Sequence, residues 1–308
     1  MHSAQVFSFM LYGILVWTSA QASDTLRTQK ITDSVYAIIG SMDNRTVENL
    51  GNNATFGVIV TSEGVVLIDS GATTKGARRI HTEIKKITSK PVVMVINTGG
   101  QDHRWLGNSY FQSLGARLVA STAAVADQKA RTRDQLFMLG NLVGTEGIDG
   151  TRAVYADTTF DTILELSIGD TQLKLHHPGH AHTPGDSFVW LEKESVMFTG
   201  DIVYTERMLG VGQQSNSKSW LHAFEVMAAY QAKHLIPGHG APTELQTAQK
   251  DTYDYLRFLR QSVQQFMDRG GDISEISKID QSPFLYLKNF DTLAGRNAQK
   301  VYSELEWE

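Results

Sequence analysis

"INTGGQDHRWLGN", Ile96 to Asn108, ends an apolar run ("PVVMV") with Asn, Thr and two glycines. The run has the β-branched character of a buried strand, so this stretch is a loop at a strand's C-terminal end. Such a loop suits binding or catalysis: the strand holds its start rigidly and the glycines let the backbone turn sharply. A metal loop would carry several imidazoles and a carboxylate at alternating positions. Here Thr98, Gly99, Gly100 and Gln101 occupy them, and Asp102 and His103 are the only obvious donors.

The segments on either side define the fold class. "VYAIIG", "TFGVIV" and "GVVLIDSG" between Val35 and Gly71 are short apolar runs closed by turn residues, and "KGARRIHTEIKKI" spaces Ala77, Ile80, Ile84 and Ile87 as a helix does. Strands alternating with helices predict an α/β fold. Phe56 to Asp69 and Phe188 to Asp201 echo each other, each running from Phe through two strands and a Glu-containing turn to an Asp. The echo suggests two related halves, or a chance likeness of hydrophobic hairpins. The last third is helical: Trp220, Phe224, Met227 and Ala228 share a face, and the run from Ala248 to Asp268 repeats apolar residues at three and four. No low-complexity linker interrupts the chain, so residues 25–308 are read as one domain.

The N-terminus is separate. "VFSFMLYGILVW", Val6 to Trp17, is too short to span a bilayer, and the "SAQA" behind it ends in small-x-small. Residues 1–22 are read as a secretory signal peptide cut after Ala22, which predicts a periplasmic protein. No later run approaches 20 apolar residues, so stable membrane insertion is not expected. A net charge of -5 on 308 residues offers no basic field for nucleic acid. With no cysteine among them, the 10 histidines and the carboxylates are the strong ligands available to a borderline cation such as zinc.

Three further turns carry such donors after strands: "HHPGHAHTPGD" (His176 to Asp186), "MFTGD" ending at Asp201, and "HLIPGHG" presenting His239. Taken singly, a His in a Gly-Pro turn is commonly a solvated loop residue, and an Asp at a strand end commonly caps a turn. Their order, together with "DSG" at Asp69 and the loop above, resembles the metallo-β-lactamase fold superfamily over nearly the whole chain. That resemblance implies a four-layer αββα sandwich with a metal cleft at one edge of its two sheets. The family's loop pattern is Thr-His-x-His-x-Asp-His, followed two residues later by Gly-Asn. Aligned without a gap on Thr98 and Gly107-Asn108, it sets Gly99 and Gln101 at the two histidines, His103 at the aspartate and Arg104 at the last histidine. A register with one inserted residue keeps Asp102-His103 as Asp-His; the ungapped one is preferred.

Residue by residue, the resemblance implies metal ligation by His103, His182, Asp201 and His239, and one zinc ion. A second ion would have His182, Asp201 and Gln101, a poor set. His176, His177 and His180 flank the site. Arg104 cannot ligate; it is expected to pair with Asp102, to hold an anionic substrate group, or to shape the loop through a salt bridge. The altered loop, "AHTPGD", "RMLGV" and the tail "FDTLAGRNAQKVYSELEW" are also similar to a narrower branch, the quinoprotein relay system zinc metallohydrolases, associated with periplasmic dehydrogenases that use pyrroloquinoline quinone (PQQ).

The function this implies is metal-assisted hydrolysis of a small-molecule substrate. Asp201 would orient the attacking water, and Arg104, with Asp102 beside it, or one of the extra histidines would stabilise the leaving group. The alternative is a metal-containing or metal-free accessory or binding protein of a quinone-dependent oxidation system. Loss of the paired histidines favours the alternative; retention of His182, Asp201 and His239 favours the enzyme.

Overall fold

The computed structural model describes residues 26–308, so the predicted signal peptide lies outside the described residues. In chain order the first half contains β1 (Arg27–Lys30), β2 (Val35–Ile39), β3 (Thr55–Val60), β4 (Val65–Ile68), α1 (Thr74–Ile87), β5 (Val92–Asn97), α2 (Asp102–Trp105), α3 (Asn108–Ser113), β6 (Arg117–Ser121), α4 (Thr122–Ile148) and β7 (Thr158–Phe160). The second half contains β8 (Ile163–Ile168), β9 (Thr171–His176), β10 (Phe188–Leu191), β11 (Val196–Phe198), α5 (Ser217–Ala228), β12 (His234–Ile236), α6 (Leu245–Ala248), α7 (Asp254–Asp268) and α8 (Phe290–Leu305).

β1 to β7 form one sheet in sequence order, and a second sheet has the order β12-β11-β10-β9-β8. Side-chain alternation along each strand produces the layers. In β3 and β4, Phe56, Val58, Val65 and Leu67 face α1, α3 and α4 and meet Ile80, Ile84, Phe111 and Ala124. Ile59, Val66 and Ile68 face the other sheet and meet Val189, Leu191 and Phe198. The outer face of the second sheet, with Phe188, Met197 and Leu235, packs on Trp220, Phe224, Leu256 and Val301 of the C-terminal helices. The expected four-layer αββα order is therefore present. Each fully buried Ile or Phe of these layers contributes about 1.5–3 kcal/mol. Gly57 has a packing reason: a Cβ there would lie 2.1 Å from the Phe198 ring of the opposing sheet.

The echo seen in the sequence corresponds to two equivalent hairpins. β3 and β4 are antiparallel and β4 is parallel to β5; β10 and β11 are antiparallel and β11 is parallel to β12. Asp69 and Asp201 leave the two hairpins at corresponding places.

Two helical features differ from the sequence reading. α4 gave no apolar periodicity, because its buried side includes Asp127, Gln128 and Gln135. The single helix expected from Ala248 is broken by a π-helical turn, Gln249–Tyr253. Thr252 in that turn exchanges hydrogen bonds with the Tyr204 backbone, accepting from N at 2.9 Å and donating to O at 2.6 Å.

Candidate metal centre

Four turns at strand ends bring the donors together. Asp69 follows β4 in the left-handed region, φ 66°, a conformation that an Asp adopts at some cost. Its carboxylate accepts from Thr98 N at 2.7 Å and from Thr98 Oγ1 at 2.8 Å, tying the end of β4 to the loop after β5. His103 sits in α2, the short helix of that loop. Asp201 lies in a 3-10 turn after β11, and His239 follows β12.

His103, Asp201 and His239 each offer a ligand atom within 4.8 Å of the others, and all three residues are buried. His103 Nε2 is 3.3 Å from Asp201 Oδ2, and His239 Nε2 is 3.2 Å from Asp201 Oδ1. His239 Nδ1 has two neighbours: Asn53 O at 2.7 Å accepts from a protonated Nδ1 and leaves Nε2 bare on the Asp201 side, while Arg207 Nη1 at 3.2 Å donates to a bare Nδ1. His103 Nε2 is buried, and its contact with Asp201 Oδ2 at 3.3 Å is too poorly aligned for a full hydrogen bond. Two imidazole nitrogens and a carboxylate are a donor set that suits zinc, so these residues fit one divalent cation.

His103 Nδ1 has two neighbours with opposite demands. Asp102 Oδ1, 3.2 Å away, accepts from a protonated Nδ1 and frees Nε2 for a cation. Arg45 Nη2, 2.7 Å away, donates to a bare Nδ1 and moves the proton to Nε2. Asp102 itself pairs with Arg45. Burial acts to raise the Asp102 carboxyl, but the Arg45 charge and the His103 contacts outweigh it and hold the group below its usual range.

Arg104 forms a structural salt bridge, one of the roles expected of it, but not with Asp102. It is fully buried, and its Nη2 donates to Asp201 Oδ1 at 2.6 Å while Nε donates to Oδ2 at 3.1 Å. Nη1 reaches Asp69 Oδ2 at 2.9 Å, and Nη2 also reaches Gly238 O at 2.9 Å. It therefore pairs with Asp69 and Asp201 rather than Asp102, and a guanidinium so enclosed presents no face to a substrate. Burial opposes the Asp201 charge, yet Arg104 and then His103 hold the carboxylate well below its ordinary pKa.

His182 is not one of the gathered three. Its Nδ1 donates to Gly210 O at 3.0 Å, and its ring packs against Tyr204 and Trp220 at centroid distances of 5.7 and 5.4 Å. Nε2 is left without a protein partner among the described residues. Burial pushes this imidazole down to about 4, against the pull of Asp201, so it is neutral at physiological pH. His176, His177 and His180 bond Tyr230 Oη, Asp186 O and Gln214 O respectively, away from the centre.

At Gly99, one of the two positions without its histidine, and at the neighbouring Gly100, the loop has no room for a side chain. A Cβ at Gly99 would lie 2.4 Å from Asp186 Oδ1, and one at Gly100 would lie 1.9 Å from Asp127 Oδ2. α4 pins the loop: Gln128 Nε2 donates to Gly99 O at 3.0 Å and Gln135 Nε2 to Gly100 O at 2.8 Å. Asp186 accepts from Thr183 N at 2.7 Å, and burial followed by the nearby Asp201 charge pushes its carboxyl up to about 8. Arg45, Asn53, Asp127, Gln128, Asp186 and Arg207 were not singled out in the sequence, where no local pattern marks them.

Two sheets flanked by helices, with His and Asp donors gathered from strand-end loops at one edge, define a class of metal-binding α/β sandwich proteins. The chain belongs to the metallo-β-lactamase superfamily, whose family model matches residues 51–239. It is 25% identical over 240 residues to a metallo-β-lactamase type 2 of Elizabethkingia meningoseptica, covering 77% of this chain and 87% of that protein. It is 20% identical over 290 residues to a linear primary-alkylsulfatase of a Pseudomonas, covering 80% of this chain and 54% of that protein, so it spans about half of that relative's length. Among solved structures, a metallo-β-lactamase from Pontibacter korlensis superposes with a TM-score of 0.61 at 22% identity, covering 75% of this chain and 99% of that one, a likeness of fold.

Proposed function

We propose that this chain is an exported hydrolase of a small-molecule substrate that works with one zinc ion held by His103, Asp201 and His239. The observation that carries the reading is the convergence of the buried His103 Nε2 and His239 Nε2 on the two oxygens of one buried carboxylate. A divalent cation bound there supplies an acidified water and a Lewis acid for the scissile group. The protein's own residues do the rest. Arg104 keeps Asp201 charged and fixed, and Asn53 O positions the His239 ring through its Nδ1. Relatives named as a β-lactamase and an alkylsulfatase support hydrolysis; β-lactam hydrolysis itself is disfavoured because Gly99 and Gln101 replace the paired histidines. Export rests on the apolar Val6–Trp17 run, and among the described residues no helix is long and apolar enough to cross a membrane.

One observation favours a second reading, a non-catalytic accessory protein of a periplasmic PQQ-dependent system. Arg104 already occupies both oxygens of Asp201, so that carboxylate has a cationic partner supplied by the protein itself. Metal content decides between them, followed by turnover of esters, thioesters, sulfate esters and lactams. The hydrolase reading expects one zinc per chain, lost in His103→Ala and His239→Ala together with turnover. Zinc without turnover on any of these substrates leaves the accessory reading.

A further inference from the structure

Beside His182 lies a 620 Å³ cavity that the metal centre does not use. Its walls are the Gly210–Gln213 segment, Ile273 and one face of α8, where Leu293, Arg296 and Lys300 follow one another at helical spacing. The two walls are bonded into one piece. Buried Asn297 of α8 accepts from Val211 N at 2.8 Å and donates to Leu209 O at 2.8 Å, while His182 bonds Gly210 O in the same segment. The cavity is therefore formed before any ligand arrives, and its volume suits a small molecule.

Its charge runs against that of the whole protein. The net charge is -5, yet the lining residues include Arg296 and Lys300 and no Asp or Glu. Lys300 leans on Glu304 at 3.3 Å, whereas Arg296 is exposed and makes no ion pair among the described residues. Val211, Leu293 and Ile273, the last 37% exposed, supply apolar surface between the cations and His182.

We infer that this cavity binds a small organic anion, its carboxylate, sulfonate or sulfate head on Arg296 and Lys300 and its apolar body along Val211, Ile273 and Leu293 toward His182. As the substrate site of the proposed hydrolase it rests on that reading, but its binding chemistry is independent of turnover. A guanidinium donating to an anionic head in a partly enclosed site strengthens binding by about ten-fold over a neutral head.

The test is calorimetric titration of metal-stripped and zinc-loaded protein with octanesulfonate, octanoate, octanamide and octylammonium below their micellar concentrations. His182 ring resonances are followed by NMR in the same titrations. The expected result is that both anions bind about ten-fold tighter than octanamide, with octylammonium weakest, and shift the His182 signals. Arg296→Gln/Lys300→Gln should level anion and amide, while Arg133→Gln on the exposed side of α4 changes nothing. Equal binding of anion and amide, a preference that survives the double substitution, or unmoved His182 signals overturns the assignment. An Arg296-dependent preference in a protein that hydrolyses nothing sinks the hydrolase reading and leaves the anion site; turnover without any preference does the reverse.

Discussion

Arg104 grips Asp201 with two nitrogens, Nη2 on Oδ1 at 2.6 Å and Nε on Oδ2 at 3.1 Å, in a part of the protein that water does not reach. The same guanidinium spans to Asp69, so one cation fixes two carboxylates that end equivalent hairpins of the two sheets. Removing it takes from the buried Asp201 carboxylate its main counter-charge, which costs far more than losing an exposed pair would.

Arg104→Ala is therefore expected to lower unfolding free energy by about 3–5 kcal/mol. Arg104→Lys should remain well below wild type, because one ammonium cannot reproduce the planar fork. Urea denaturation measures both; an Arg104→Ala protein within about 1 kcal/mol of wild type, as for an exposed pair, would show that this network is not formed.

Asp186 predicts a pH dependence. Its carboxyl is pushed up from 3.8 to about 8, chiefly by burial, so the folded protein prefers it protonated. A group whose folded pKa is raised contributes stability that is complete below its unfolded pKa and is lost as pH rises through the folded value. Stability from this group should thus decline between about pH 4 and pH 8. Asp186→Asn stays neutral and keeps an acceptor for Thr183 N, so its thermal midpoint should vary less across that window. A wild-type midpoint no lower at pH 8 than at pH 5, or an equally sloped Asp186→Asn profile, contradicts the assignment.

Restoring the absent histidines should not restore a second ion. Gly99→His/Gln101→His places a side chain where Asp186 Oδ1 stands 2.4 Å from the required Cβ. The expected outcome is unchanged zinc stoichiometry by mass spectrometry of dialysed protein, with a lowered thermal midpoint. A second tightly held equivalent of zinc would mean that the loop relaxes more easily than its packing allows.

The sheets were legible from the chain alone wherever burial imposed a local pattern. The runs of β2 to β5, the helical spacing of α1 and the echo of the two hairpins all come from neighbouring residues sharing one environment. α4 was not legible, because its buried side binds the Thr98–Gln101 loop through Gln128 and Gln135 rather than packing apolar groups. The interrupted helix at Gln249–Tyr253 was hidden likewise, since its cause is the distant Tyr204 backbone.

For the site, the sequence by itself determined which side chains stand on strand-end loops, His103, His182, Asp201 and His239 among them, while strand and helix periodicity determined an α/β class and the αββα order came from the family resemblance. Only the tertiary structure decided which of them meet, placing His182 apart, turning Asp102 to Arg45 and burying Arg104 between Asp69 and Asp201. Periodicity is a property of adjacent residues and survives in one dimension. Charge pairing, tautomer and available volume depend on groups brought together across the two sheets, and these exist only once the chain has folded.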